Sequence, residues 1–153
     1  MNERRGDRNL VPGALPGRDV DQALPASLRL ELMSGPGAVP AARRAIAGLA
    51  GHVGIGTLGD LRLLVSELVT NSVRHAGLRS DDAIGVEISV SSARVRVEVT
   101  DIGPGFDGTS PEPRQDRMGG YGLFLVDRLA DRWGVMSDEV TRVWFEIDRQ
   151  EAA

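Results

Sequence analysis

The 153-residue sequence contains no cysteine and no lysine, and its only histidines are His52 and His75. Without cysteine there is neither a disulfide nor a thiolate metal site, and two histidines are too few for a histidine-rich metal centre. A metal ion, if one is used, must be held mainly by oxygen. All eighteen basic residues are arginine. Any step that needs a catalytic or phosphate-binding lysine is therefore excluded, which removes the Walker-type P-loop and the eukaryotic-type kinase site. Long apolar runs are missing too. No stretch approaches the ~20 residues of a membrane span, and the opening MNERRGDRNL lacks the apolar core of a signal peptide. No membrane association and a cytoplasmic location are expected. The net charge of −4 disfavours direct nucleic-acid binding, because phosphate contacts call for basic surfaces.

What is present suits one domain. An apolar content of 41% over this length builds one real core and is too short for two ordinary ones. Residues 1–26 mix charge with Pro12, Pro16 and Pro25, show no sustained periodicity, and are expected to form a tail. The domain is expected over 27–149, with 150–153 as a second short tail. Leu28 to Leu32 alternates apolar and polar as a half-buried strand does. Val39 to Ala50 reads as a helix with Pro40 in its first turn. Four glycines between Gly51 and Gly59 read as a connection. A longer helix follows, starting near Thr57 or Asp60, either of which could cap it, and stopping at Gly77. Ile84 to Val90 and Val95 to Val99 alternate on either side of Ser91-Ser92-Ala93-Arg94, which predicts an antiparallel hairpin. Leu123 to Ala130 reads as a third helix, and Arg132 to Met136 and Arg142 to Ile147 as two closing strands with Trp133 and Trp144 in the core or on a sheet face.

The polar residues that interrupt this pattern are the candidates for function. On the central helix Leu61, Leu64, Val65, Leu68, Val69, Ser72, Val73 and Ala76 share one arc at about 100° per residue, and Glu67 and Asn71 lie about 40° apart at its edge. Arg74 and His75 flank them. Taken alone, this also suits a helix whose border polar groups are merely solvated. Asp101 ends a strand and opens Asp101-Ile102-Gly103-Pro104-Gly105, where two glycines permit tight turning and close approach of a ligand to the backbone. An ordinary hairpin turn can carry the same letters. Gly108 to Met118 is a polar stretch with Pro111 and Pro113 and no pattern, and loops of this length are usually functional or disordered. Gly119-Gly120-Tyr121-Gly122-Leu123 then opens directly into a helix, and a helix N-terminus offers unpaired N–H groups and the positive end of a dipole to a phosphate.

These features occur once each and in order: E-x-x-x-N on a helix, D-x-G-x-G after a strand, a polar loop, and G-x-G-L opening a helix. The combination resembles the Bergerat-fold ATPase domain of gyrases and histidine kinases, over roughly Leu28 to Ile147. The resemblance implies an α+β fold, a two-layer sandwich of a mixed, mostly antiparallel sheet with helices on one face. It also implies ATP and Mg²⁺ as cofactors. The residue matching Asn71 coordinates the metal, the residue matching Asp101 takes a hydrogen bond from the adenine amino group, and the loop is a lid over the phosphates. An amide oxygen suits a hard cation that keeps several waters, and a carboxylate suits a purine N–H donor.

The short chain and the sequence S-E-L-V-T-N-S-V-R-H-A-G from Ser66 to Gly77 resemble the RsbW and SpoIIAB group of anti-sigma-factor serine kinases. Membership would imply a sigma factor and an anti-anti-sigma protein as partners, often a homodimer, and Glu67 as general base toward a serine or threonine hydroxyl. The expected nucleotide contacts are Asn71, Arg74, Asp101, Gly103, Gly105, Gly120, Tyr121, Gly122 and Leu123, with Asn71 as the metal ligand. Without lysine, phosphate charge must be met by the metal, helix N–H groups and arginine: Arg74, or Arg114 and Arg117, which read better as solvated charges. His75 reads as a helix-end residue, and Tyr121 as stacking or packing near the ligand. A non-catalytic ATP-binding regulator is the alternative, since Glu67 could instead order water around the metal.

Overall fold

The computed structural model describes residues 26–75, 78–79, 81–102 and 122–150. The expected N-terminal tail falls outside these except for Ala26, as do residues 151–153.

Five strands and three helices follow in the order β1 (Ser27–Met33), α1 (Ala38–Ala47), α2 (Ile55–His75), β2 (Ala83–Val90), β3 (Arg94–Asp101), α3 (Gly122–Leu129), β4 (Arg132–Ser137) and β5 (Thr141–Asp148). The strands form one sheet in the order β1-β2-β3-β5-β4. All four ladders are antiparallel. An isolated parallel bridge joins Ala50 to Val53. The fold is thus α+β, with three helices laid on one face of the sheet.

Alternation in the sequence decides which face is covered. In β2 and β3, Ile84, Val86, Ile88, Val90, Val95, Val97 and Val99 are all buried, and Phe145 and Ile147 of β5 join them from the same side. Their partners in the core are Ala42 and Ile46 of α1, Leu61, Leu64, Val65, Leu68 and Val69 of α2, and Val126 of α3. Fully burying a side chain of this size contributes about 1.5–3 kcal/mol, so this layer fixes the register of β2, β3 and β5. The hairpin turn forms as its sequence suggests. Ser91 Oγ accepts the N–H groups of Ala93 at 3.3 Å and Arg94 at 3.1 Å, and Ser91 N–H donates to the Arg94 carbonyl.

Two expectations at the helix ends need correction. Helix α1 stops at Ala47 rather than Ala50, because the chain tightens there into successive three-residue bonds from Gly48, Leu49 and Ala50 back to Ala45, Ile46 and Ala47. Helix α2 begins at Ile55, inside the glycine-rich stretch expected to be a connection, and Leu58 N–H bonds to the Gly54 carbonyl. Thr57 and Asp60 therefore lie within the helix and cap nothing. Glycine disfavours helix by about 1 kcal/mol relative to alanine, but buried Val53 and half-buried Leu58 tie this first turn to the core, and tertiary packing overrides the weak local preference. The expected stop at Gly77 lies outside the described residues.

The opposite face of the sheet is polar and organised around one carboxylate. Glu146 accepts from Arg96 Nη1 at 2.9 Å, Arg94 Nη1 at 3.1 Å and Arg132 Nε at 2.8 Å. Arg132 also bonds Asp148. Burial alone would raise the Glu146 pKa, but the guanidinium groups of Arg132, Arg96 and Arg94 outweigh it and hold the carboxyl below its ordinary value. Trp144 lies on this face under Arg96, whose guanidinium carbon is 4.5 Å from the ring centroid. Trp133 takes the other side, half-buried against the core, with its indole N–H donating to Asp127 at 2.9 Å.

Candidate active site

Helix α2 crosses the sheet so that its C-terminal half meets the end of β3. The apolar arc expected from the sequence is the buried one: Leu61, Leu64, Val65, Leu68 and Val69 are at most 2% exposed. Glu67 is half-buried at the edge of that arc, and Asn71, one turn on, is buried at 4% exposure. Arg74 is exposed on the next turn.

Asp101 ends β3 with 4% exposure. It reaches the helix directly, because Ser72 Oγ donates to Asp101 Oδ2 at 2.6 Å. Ser72 is the neighbour of Asn71, so a single hydrogen bond brings the E-x-x-x-N segment and the aspartate of D-x-G-x-G to one place. From the sequence Ser72 belongs only to the apolar arc. A hydroxyl interrupting a run of leucine and valine directly after Asn71 was the available signal. Thr141 is a second buried polar residue that the sequence did not single out, 2% exposed and directly opposite Asp101 in the β3–β5 register.

The Asn71 amide oxygen is buried and has no hydrogen-bond partner among the described residues. An orphaned buried acceptor disfavours the fold by about 1–3 kcal/mol unless something is bound to it. A neutral amide oxygen is a suitable ligand for Mg²⁺, which keeps most of its waters and shares its remaining positions with phosphate. No cluster of three or more His, Cys, Asp or Glu occurs among the described residues. The donor set fits a metal that arrives with a nucleotide.

Helix α3 begins at Gly122, carries no acidic residue in its first turn, and packs beside α2. No carboxylate of that first turn competes with an anion for the helix N-terminus. Leu123 is half-buried and packs against the core. Gly103, Gly105, Gly120 and Tyr121, together with Arg114 and Arg117, lie outside the described residues. Of the expected site, Glu67, Asn71 and Asp101 are brought together on α2 and at the end of β3. Second helix-to-helix support comes from Arg43 of α1, whose Nε donates to Ser66 Oγ at 3.0 Å immediately before Glu67.

Comparison with known proteins gives the same assignment. The family model described as the histidine kinase-like ATPase domain matches residues 32–147. The serine-protein kinase RsbW of Listeria monocytogenes serotype 4a is 32% identical over 126 residues, covering 73% of this chain and 80% of the relative. The protein of the same name from Oceanobacillus iheyensis is 30% identical over 129 residues, covering 71% and 82%. Among solved structures, the RsbU and RsbW domains of a Mycobacterium tuberculosis protein superpose with a TM-score of 0.64 over 84% of this chain at 19% identity, a likeness of fold. The chain spans only 34% of that structure. The histidine kinase domain of an Erythrobacter litoralis blue-light activated histidine kinase superposes with a TM-score of 0.51 at 27% identity, over 71% of this chain and 58% of that one. With its family model matched across most of the chain and its Asn71 and Asp101 joined through Ser72 at the end of β3, the chain belongs to the histidine kinase-like ATPase domain family.

Proposed function

We propose that this domain is an ATP-dependent protein serine/threonine kinase of the anti-sigma type, which phosphorylates an anti-anti-sigma partner and so decides whether a sigma factor is held or released. The observation that carries the reading is the orphaned Asn71 amide oxygen one helical turn beyond Glu67. It pairs a place for a nucleotide-borne cation with a base at the rim, and the relatives that match most of the chain are named serine-protein kinases.

The residues divide the work as follows. Asp101, held by Ser72, accepts a hydrogen bond from the adenine amino group. The N–H groups that open α3 at Gly122 and Leu123 would take the phosphates, and Gly103, Gly105, Gly120 and Tyr121 are nucleotide contacts in this reading by their sequence motifs. Asn71 would hold Mg²⁺ through its orphaned amide oxygen, and the ion would neutralise phosphate charge that this lysine-free chain otherwise meets with helix N–H groups and arginine, Arg74 being the nearest on α2. Glu67 takes the proton of the incoming hydroxyl while its oxygen bonds to the γ-phosphorus. The bond from that phosphorus to the bridging oxygen breaks, and ADP leaves. The protein acts in the cytoplasm and as a homodimer in this reading.

The test is transfer from γ-labelled ATP with Mg²⁺ to purified anti-anti-sigma proteins of the same genome, run beside Glu67→Ala and Asn71→Ala. Labelling of one partner that falls by about 10²–10⁴ in Glu67→Ala, with ATP still bound, supports the kinase. ATP binding without any labelled partner supports instead a regulator that uses the nucleotide only to hold its shape. Loss of ATP binding by the wild type overturns the site itself.

A further inference from the structure

Strand β1 is one edge of the sheet, and the ladder it makes decides which of its backbone groups are free. At its two ends the Ala26 carbonyl accepts from Val90 N–H at 2.9 Å and Ser34 N–H donates to the Asp82 carbonyl at 3.0 Å. Alternate residues of an antiparallel ladder turn their backbone to the same neighbour, so Leu28, Leu30 and Leu32 face β2. The N–H and C=O groups of Ser27, Arg29, Glu31 and Met33 point the other way, and no strand among the described residues pairs with that side. A free edge of this kind is a template for another strand unless proline, lysine or a bulge blunts it. Strand β1 carries neither proline nor lysine, and its register against β2 runs without interruption.

The side chains say which strand fits. Leu28, Leu30 and Leu32 line the inner face, where Leu28 and Leu30 are only half-buried, while Ser27, Arg29, Glu31 and Met33 are exposed on the outer face. Arg29 and Glu31 lie symmetrically about Leu30 and carry opposite charges, so the strand complements itself. Turned about a two-fold axis at Leu30, a second copy runs antiparallel along the edge with the whole strand in register. Arg29 then stands opposite Glu31 of the partner subunit, and both turn their backbone groups to the edge, so each such pair exchanges two hydrogen bonds. Leu30 meets the partner's Leu30 and Leu28 meets the partner's Leu32, which covers leucine surface that a single copy leaves half open.

Other registers are worse. A shift of two residues sets Arg29 against Arg29 or Glu31 against Glu31, and like charges directly opposite disfavour a pair. A shift of one sets edge-facing backbone groups against groups already used by β2, and turns the leucines away from each other. Within its own chain Arg29 bonds Glu87 at 2.9 Å. A guanidinium has five donors and can serve a carboxylate on either side. We propose that β1 is a self-complementary dimer edge, along which two copies of this chain join their sheets into one continuous sheet. The inference rests on the reading above only for the homodimer, whose surface it supplies, and not for phosphotransfer.

Sedimentation velocity of the full chain across a concentration series tests it, with Arg29→Glu and Glu31→Arg made singly. By symmetry each variant sets like charges opposite each other twice per dimer, and the dissociation constant of the dimer is expected to rise by about tenfold or more in both. Mixed in equal amounts, the two variants are expected to form a heterodimer within about threefold of the wild-type constant, because an acidic β1 then faces a basic one. Misfolded chains would not recover on mixing, and with both positions exposed the far-ultraviolet circular dichroism of each variant should match the wild type. A wild type that stays monomeric throughout overturns the proposal together with the homodimer, and leaves the kinase reading to its own test. A dimer whose constant is unchanged in both single variants overturns this edge and leaves the homodimer standing on another surface. Weakening in both variants without recovery in the mixture overturns the pairing of Arg29 with the partner's Glu31, and the proposal with it.

Discussion

Ser72 Oγ donates to Asp101 Oδ2 across 2.6 Å, with both residues buried at 3% and 4% exposure. A hydrogen bond to a carboxylate in such a place is stronger than one between neutral groups, and here it ties the rotamer of Asp101, the aspartate proposed to read the purine, to the helix that carries Glu67 and Asn71. Ser72→Ala removes the donor and leaves the buried carboxylate with less support, so a loss of about 1–3 kcal/mol in unfolding free energy is expected. The same variant is expected to discriminate less sharply between ATP and GTP. Denaturant unfolding and a competition of the two nucleotides measure the two effects, and Ser72→Thr, which keeps the hydroxyl, should recover the discrimination.

Asn71 makes the opposite prediction for the protein without ligand. Its amide oxygen has no partner among the described residues, so Asn71→Ala discards an acceptor that favours the bound state over the free one. The melting temperature without nucleotide is expected to stay close to that of the wild type. The stabilisation that ATP gives with Mg²⁺ present should disappear, because a ligand stabilises only in proportion to its affinity for the folded protein. Thermal shift with ATP, with and without Mg²⁺ or with a chelator, reads both. A wild type whose shift is the same with chelator present would rule out Asn71 as a metal ligand.

The sequence carried the layer that builds the site more clearly than the contacts that complete it. Period-two alternation named the inward residues of β2 and β3 because each strand has one dry face, and the 3.6-residue period named the buried arc of α2 for the same reason. The start of α2 was hidden, because Gly54, Gly56 and Gly59 read locally as a break and only the packing of Val53 and Leu58 shows why the helix persists through them. Ser72 was hidden differently. Its partner Asp101 lies 29 residues on, and a hydrogen bond between distant segments leaves no periodic trace. The placement of β5 between β3 and β4 is likewise a matter of tertiary pairing, which alternation within single strands does not encode.

Gly134 on β4 is required by its neighbour across the ladder. A Cβ there would lie 2.7 Å from Trp144 Nε1 and 2.9 Å from Cε2, and the indole is also held from Arg96. Gly134→Ala is therefore expected to destabilise the domain by about 1–3 kcal/mol through overpacking, and to alter the emission of Trp144. Gly59→Ala, in open space, should stabilise it. Equal effects of the two substitutions on urea unfolding would contradict the packing described.

The arginine cluster around Glu146 sets a pH dependence whose sign is fixed. The folded protein holds the Glu146 carboxyl below its ordinary value of 4.5, and Arg132 holds Asp148 below 3.8. A carboxylate with a lowered folded pKa contributes stability in full above the unfolded value and loses it as pH falls through the folded one. The arginines stay charged throughout, so only the carboxylates titrate. Unfolding free energy is therefore expected to be level in this respect from neutral pH down to about pH 5 and to decline below it as Glu146 and Asp148 take up protons. Glu146→Gln keeps the shape but removes the charge from between Arg94, Arg96 and Arg132. It should be less stable than the wild type near neutral pH, and the gap should narrow as pH falls below the ordinary value of 4.5 and the wild-type carboxyl takes up its proton. Urea unfolding of both proteins across that range measures the gap, and a gap that widens toward acid would contradict the lowered pKa.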